Sequence, residues 1–142
     1  MSDGIAFDAD VLIYAASHDH PLGARVRELF ADSAGAVVGV GSVLLLPEVL
    51  TKPMRQDPES AETDQLIRLL SRLELRPVDE DTGRVALSLA VGYGLRAADA
   101  AHLATGVVSD AKYFLTNNRK DFPKTISEIE IVYPSDLQPL DH

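Results

Sequence analysis

A chain of 142 residues is long enough for one domain and too short for two ordinary ones, so residues 1–142 are read as a single domain. The absence of cysteine excludes disulfides, thiolate zinc sites and a cysteine nucleophile. The formal charge of −9, from 22 acids and 13 bases, argues against a general nucleic-acid-binding surface, and the apolar runs fall far short of the ~20 residues that cross a bilayer.

The opening MSDGIAFDAD lacks the basic start and apolar run of a signal peptide, so the expectation is a cytoplasmic protein without membrane contact. Gly4 to Phe7 reads as a short strand ending in the acidic pair Asp8 and Asp10, and Val11 to Ala16 as a turn or two of helix. From Pro21 to Ser33, Leu22, Val26, Leu29 and Phe30 recur at helical spacing. Ala36 to Val40, β-branched and bounded by glycines, predicts a second strand. Ser42 is read as the N-cap of a helix carrying Leu45, Leu46, Val49 and Leu50, with Pro47 either in its first turn or marking a kink. Pro53 and Pro58 are expected to bracket a loop before a helix over Ser60 to Leu73.

A third strand is predicted over Glu74 to Val78, then a helix capped by Asp79 or Asp81 and broken by Gly92 and Gly94. A further helix covers about Arg96 to Val108, a fourth strand Lys112 to Leu115, and a short last strand Ile129 to Val132. Strands alternating with helices predict an α/β sandwich rich in parallel strands. In such folds the ligand crevice lies outside the carboxyl ends of the strands. Asp8 and Asp10 follow the first strand and Asn117 and Asn118 the fourth; Glu48 and Asp99 lie early in their helices.

Glu48 and Asp99 are single acids in the apolar runs VLLLPEVL and LRAADAAHLAT, and Asp8 directly follows an apolar strand. Carboxylates in apolar settings resist ionisation unless paired or metal-bound. Converging acids raise one another's pKa until a divalent cation relieves the repulsion, and oxygen-only ligation favours Mg²⁺ or Mn²⁺. Each acid also has a structural reading. Asp8 or Asp10 can cap the following helix or hold a turn, and Asp99 can complement a helix start. His102 is expected to be a partly exposed helix residue. The basic pairs Lys52 with Arg55, Arg25 with Arg27 and Arg119 with Lys120 read, taken singly, as solvated surface positions.

Four segments together resemble the PIN-domain family: IAFDADVLIYAA the opening motif, SVLLLPEVL the second, LRAADAAHLAT the third and KYFLTNNRKDF the fourth. The likeness runs from about Ile5 to Phe122. It implies a three-layer sandwich with a central, mainly parallel sheet of four to five strands flanked by helices. It also implies a Mg²⁺- or Mn²⁺-dependent endoribonuclease. Compact members resemble VapC-type toxins of toxin–antitoxin pairs, which implies RNA as substrate, an antitoxin partner and a homodimer. Carried over, Asp8, Glu48 and Asp99 become the catalytic and metal-binding acids, and Thr116 a rim hydroxyl able to bond a carboxylate or a water.

Two positions depart from the family pattern. Asn118 stands where an acid is usual, and Asp121 could replace it only if its loop bends inward. Asp10 stands where an amide or hydroxyl is commoner. FDADV also resembles the nucleophile motif of haloacid-dehalogenase-type phosphatases, in which Asp8 would be phosphorylated and Asp10 would be the general acid; the later motifs of that family are not evident. A PIN-like protein that only binds a partner is the non-enzymatic alternative.

Overall fold

A computed structural model describes residues 4–31 and 35–138. The elements in chain order are β1 (Ile5–Phe7), α1 (Ala9–Ala16), α2 (Gly23–Ala31), β2 (Gly39–Ser42), α3 (Leu45–Gln56), α4 (Ala61–Leu70), β3 (Leu73–Arg76), α5 (Glu80–Tyr93), α6 (Ala97–Val108), β4 (Tyr113–Leu115) and β5 (Glu130–Val132), then a 3₁₀ turn over Pro134–Asp136. The strands form one sheet, parallel throughout, in the order β3-β2-β1-β4-β5.

A parallel sheet is covered on both faces, so its central strand must be apolar on both. In β1, Ile5, Ala6 and Phe7 are all buried. Ile5 and Phe7 join one core with Leu12, Val26, Leu45 and Leu66 from α1 to α4. Ala6 joins the other with Leu103 and Ala104 of α6, Leu89 of α5 and Phe114 of β4. The period of two along the strand thus makes the three layers. Each fully buried Phe, Leu or Ile here contributes roughly 1.5–3 kcal/mol over an exposed one. Gly106 lets α6 lie close on β1: a Cβ there would stand 2.9 Å from that of Ala6.

Several sequence expectations need correction. Pro53 is not in a loop but buried inside α3. Proline has no N–H to complete the helical ladder, yet burial in the α3–α4 layer holds the helix together around it. Gly92 lies within α5; the break comes at Gly94, whose φ of 67° is the left-handed C-cap that glycine adopts without penalty. The second strand starts later than its β-branched run suggests, at Gly39, because register with β3 is set by Gly39 opposite Leu73. Ser42 is not the α3 N-cap. Leu44 holds that position without a side-chain cap, and Ser42 Oγ accepts the Leu44 N–H (3.1 Å) in the turn before it. Pro47 sits in the first turn of α3, where no ladder bond is lost. Ser33, the expected end of the second helix, lies outside the described residues. Among the described residues no helix is long and apolar enough to cross a membrane.

Candidate active site

Asp8 emerges from the carboxyl end of the central strand. Its backbone N–H donates to Leu115 O (3.0 Å), carrying the β1–β4 ladder one step further. Asp8 is 5 % exposed. Oδ1 accepts the Ala9 N–H (2.9 Å), capping α1, and Oδ2 accepts the Thr116 hydroxyl (2.8 Å). Asp8 is therefore a helix cap as well as a member of the cluster. Burial raises its pKa above the usual carboxylate range; the Thr116 bond, His102 and the Ala9 N–H oppose the rise, and Glu48 adds to it.

Asp10 sits in the first turn of α1, where the helix dipole favours an anion. Its Oδ2 accepts the Asn117 N–H (3.0 Å), tying the turn to the end of β4. Burial first, and then the Asp8 charge, push its pKa up to about 7. Its Oδ1 is buried without a hydrogen-bond partner among the described residues, as is the side-chain oxygen of Asn117.

Asp99 is the third residue of α6 and lies half-buried. Burial raises its pKa, followed by the charges of Asp8, Asp121 and Glu48, while His102 lowers it. Glu48 lies in the first turn of α3. The surrounding leucines suggest a buried side chain, but Glu48 is on the outer face, about a third exposed (34 %). It reaches inward to His102 Nε2, 3.1 Å from Oε2. That approach is close but too oblique for a hydrogen bond. His102 is not partly exposed as its sequence setting suggests: it is 1 % exposed, packed beneath the acids. Its signal was the spacing of three from Asp99, which puts both on one helix face.

The loop after β4 closes the other side. Thr116, fully buried, donates to Asp8 and accepts the Asn118 N–H (3.1 Å) through the same oxygen. Asn118 and Asp121 are clasped: the Asn118 amide donates to Asp121 Oδ2 (2.9 Å), and its Oδ1 accepts the Asp121 N–H (3.2 Å). This clasp bends Asp121 inward, near enough for its charge to raise the pKa of Asp99. The Asn118 oxygen is correspondingly spent on the loop.

The fold therefore gathers Asp8, Asp10, Glu48, Asp99 and Asp121 into one electrostatically coupled group at the carboxyl edge of the sheet. Its donor chemistry suits a divalent cation, which would relieve the mutual repulsion and serve the orphaned Asp10 and Asn117 oxygens. As the side chains are placed, no three acidic or imidazole groups among the described residues stand close enough to hold one ion. Asp8 is fixed by its two hydrogen bonds, so closing on a cation requires Asp99 and Glu48 to turn toward it.

Comparison with known proteins agrees with this architecture. The PIN domain profile matches residues 5–126, and the chain belongs to the PIN-domain family. Among solved structures, a chain of a toxin–antitoxin complex from Klebsiella pneumoniae superposes with a TM-score of 0.69 at 22 % identity, covering 92 % of this chain and 97 % of that one. A chain of VapBC2 from Rickettsia felis, bound to a DNA fragment from its promoter, superposes with a TM-score of 0.69 at 18 % identity, covering 91 % and 97 %. Among curated proteins none matches the sequence.

Proposed function

We propose that the protein is a metal-dependent endoribonuclease and the toxin of a toxin–antitoxin pair, with Asp8, Glu48 and Asp99 as its catalytic and metal-binding acids. The observation that carries this reading is the coupling of these acids with Asp10 at the carboxyl edge of β1 and β4. Membership of the PIN-domain family supports the nuclease class, and fold likeness to chains of toxin–antitoxin complexes supports the toxin role and an antitoxin partner. Leu87 and Val91, one turn apart and exposed on α5, support self-association as a homodimer.

A bound Mg²⁺ or Mn²⁺ supplies Lewis acidity, lowering the pKa of a coordinated water and neutralising phosphoryl charge. Asp8 and Asp99 would hold it, with Thr116 and the Ala9 N–H fixing the Asp8 carboxylate. Glu48, the most exposed of the three, would leave His102 to complete the shell or to take the proton of the attacking water. Asp10 adds negative charge, and Asp121 faces Asp99.

The test is cleavage of RNA by the purified protein. Activity is expected to vanish in EDTA, to return with Mn²⁺ or Mg²⁺, and to be lost in Asp99→Asn with an unchanged circular-dichroism spectrum. An Asp99→Asn protein that cuts at the wild-type rate would overturn the reading. One observation favours a second reading, a PIN-like protein that only binds a partner: the acids as placed do not close on an ion. Calorimetric Mn²⁺ titration separates the two. The phosphatase reading is disfavoured, since Asp8 has both oxygens engaged and little exposed surface to offer as a nucleophile.

A further inference from the structure

A protein of charge −9 that acts on a polyanion must concentrate its cations where the polymer lies. All thirteen lysines and arginines fall within the described residues, and most are committed elsewhere. Arg25 and Arg27 donate to backbone carbonyls, Arg119 to the Ser135 hydroxyl, and Arg68 and Arg84 pair with acids on their own helices. The cations left with no hydrogen bond or ion pair among the described residues are Lys52, Arg55, Arg96, Lys112 and Lys120, all exposed. Four of these five lie beside the acids in sequence. Lys52 and Arg55 follow Glu48 on α3, Arg96 precedes Asp99 by three residues, and Lys120 adjoins Asp121. Only Lys112 is at the opposite, amino end of a strand, just before β4.

The α3 pair has the best-defined geometry. Glu48, Lys52 and Arg55 are spaced by four and three residues and so share one helix face. At 1.5 Å rise per residue the two cations stand ~6 and ~10 Å along the axis from Glu48. All three, with Thr51 and Gln56, line one open concavity. Arg55 lies in the last turn, where the helix dipole favours positive charge without any acid to neutralise it.

We propose that Lys52 and Arg55 form a phosphate-binding track that leads single-stranded RNA along α3 to Glu48. The proposal rests on the ribonuclease reading. Neutralising phosphates releases condensed counterions, so each contact adds about 0.7 to the salt slope of single-strand binding. The experiment measures fluorescence anisotropy of a short labelled oligouridine with the Asp99→Asn protein, which binds without cutting, over a range of salt. Adding Lys52→Gln and Arg55→Gln should lower the slope by ~1.4 and weaken binding about tenfold at low salt. Adding Lys112→Gln instead should change neither, although it too removes a positive charge. If Asp99→Asn binds no RNA, the ribonuclease reading falls and the track with it. If it binds RNA but the double substitution leaves the slope unaltered, or Lys112→Gln lowers it equally, the track alone is overturned.

Discussion

Thr116 and Asp10 show how single side chains set the charge state of the cluster. The Thr116 hydroxyl is a side-chain donor to a carboxylate that is otherwise taken out of water. Thr116→Val keeps the volume but removes that donor, leaving Asp8 harder to ionise. Calorimetry should show Mn²⁺ binding weakened by roughly 10–100-fold, with Thr116→Ser close to wild type. Equal affinities for wild type and Thr116→Val would show that the bond does not orient Asp8. Asp10 predicts a pH dependence. Its pKa rises from 3.8 to about 7 on folding, so between those values the folded state binds the proton more tightly than the unfolded one. Stability contributed by this group therefore falls as pH rises toward 7, and the loss is complete above it. Metal-free Asp10→Asn should be more stable than wild type at pH 8, by an amount on the order of 1–4 kcal/mol, and the gap should close near pH 4. Urea unfolding in EDTA at both pH values measures it; a variant less stable than wild type at pH 8 contradicts the sign.

At the scale of the element, α6 is the part on which the site depends most. It carries Asp99 and His102, and it lies on β1 through Gly106. Gly106→Val would drive a branched side chain into Ala6 and Ile129, at a cost of about 2–3 kcal/mol, and would lift Asp99 away from Asp8. Thermal unfolding should fall by several degrees and Mn²⁺ affinity should fall with it. A loss of stability with metal affinity intact would mean that α6 tilts without moving Asp99. The elements themselves were largely legible, because apolar period and caps are local: of the two caps offered for α5 it is Asp79 that serves, and Ser60, expected as the first residue of its helix, is the N-cap of α4. Pro53 was misplaced because burial against α4 overrides a local preference, and β2 because its glycines answer to neighbouring strands. Four of the acids could be singled out from their apolar settings and strand-end positions. The outward face of Glu48 and the depth of His102 could not, since they depend on packing between α3 and α6, far apart in the chain; the Asn118–Asp121 clasp is local, but it depends on how the loop after β4 turns, which no periodicity or cap signals.

For the molecule as a whole, the metal-dependent reading proposed above would make a bound cation a determinant of stability as well as of activity. A cation that binds only the folded state stabilises it by about 2.7 kcal/mol at a hundred times its dissociation constant. For a chain of this size that is a rise of roughly 5–10 °C in Tm on adding Mn²⁺, reversed by EDTA. Asp99→Asn should lose most of the rise. A wild-type Tm indifferent to Mn²⁺ would favour the binding-only reading.

The bond from Thr116 to Asp8 spans 108 positions of the chain. On the ribosome, where synthesis proceeds at roughly 5–20 residues per second, that interval is on the order of 5–20 s. During it β1 can pair with β2 but has no β4 on its other side, and neither Thr116 nor the Asn117 N–H exists to hold the two aspartates. Parallel pairing of distant strands is slow in any case, since loop closure must precede the contacts that reward it. Throughout that interval the nascent chain carries Asp8 and Asp10 without the partners that hold them. The acidic cluster is assembled only with the fourth strand, when the central strand gains its second neighbour.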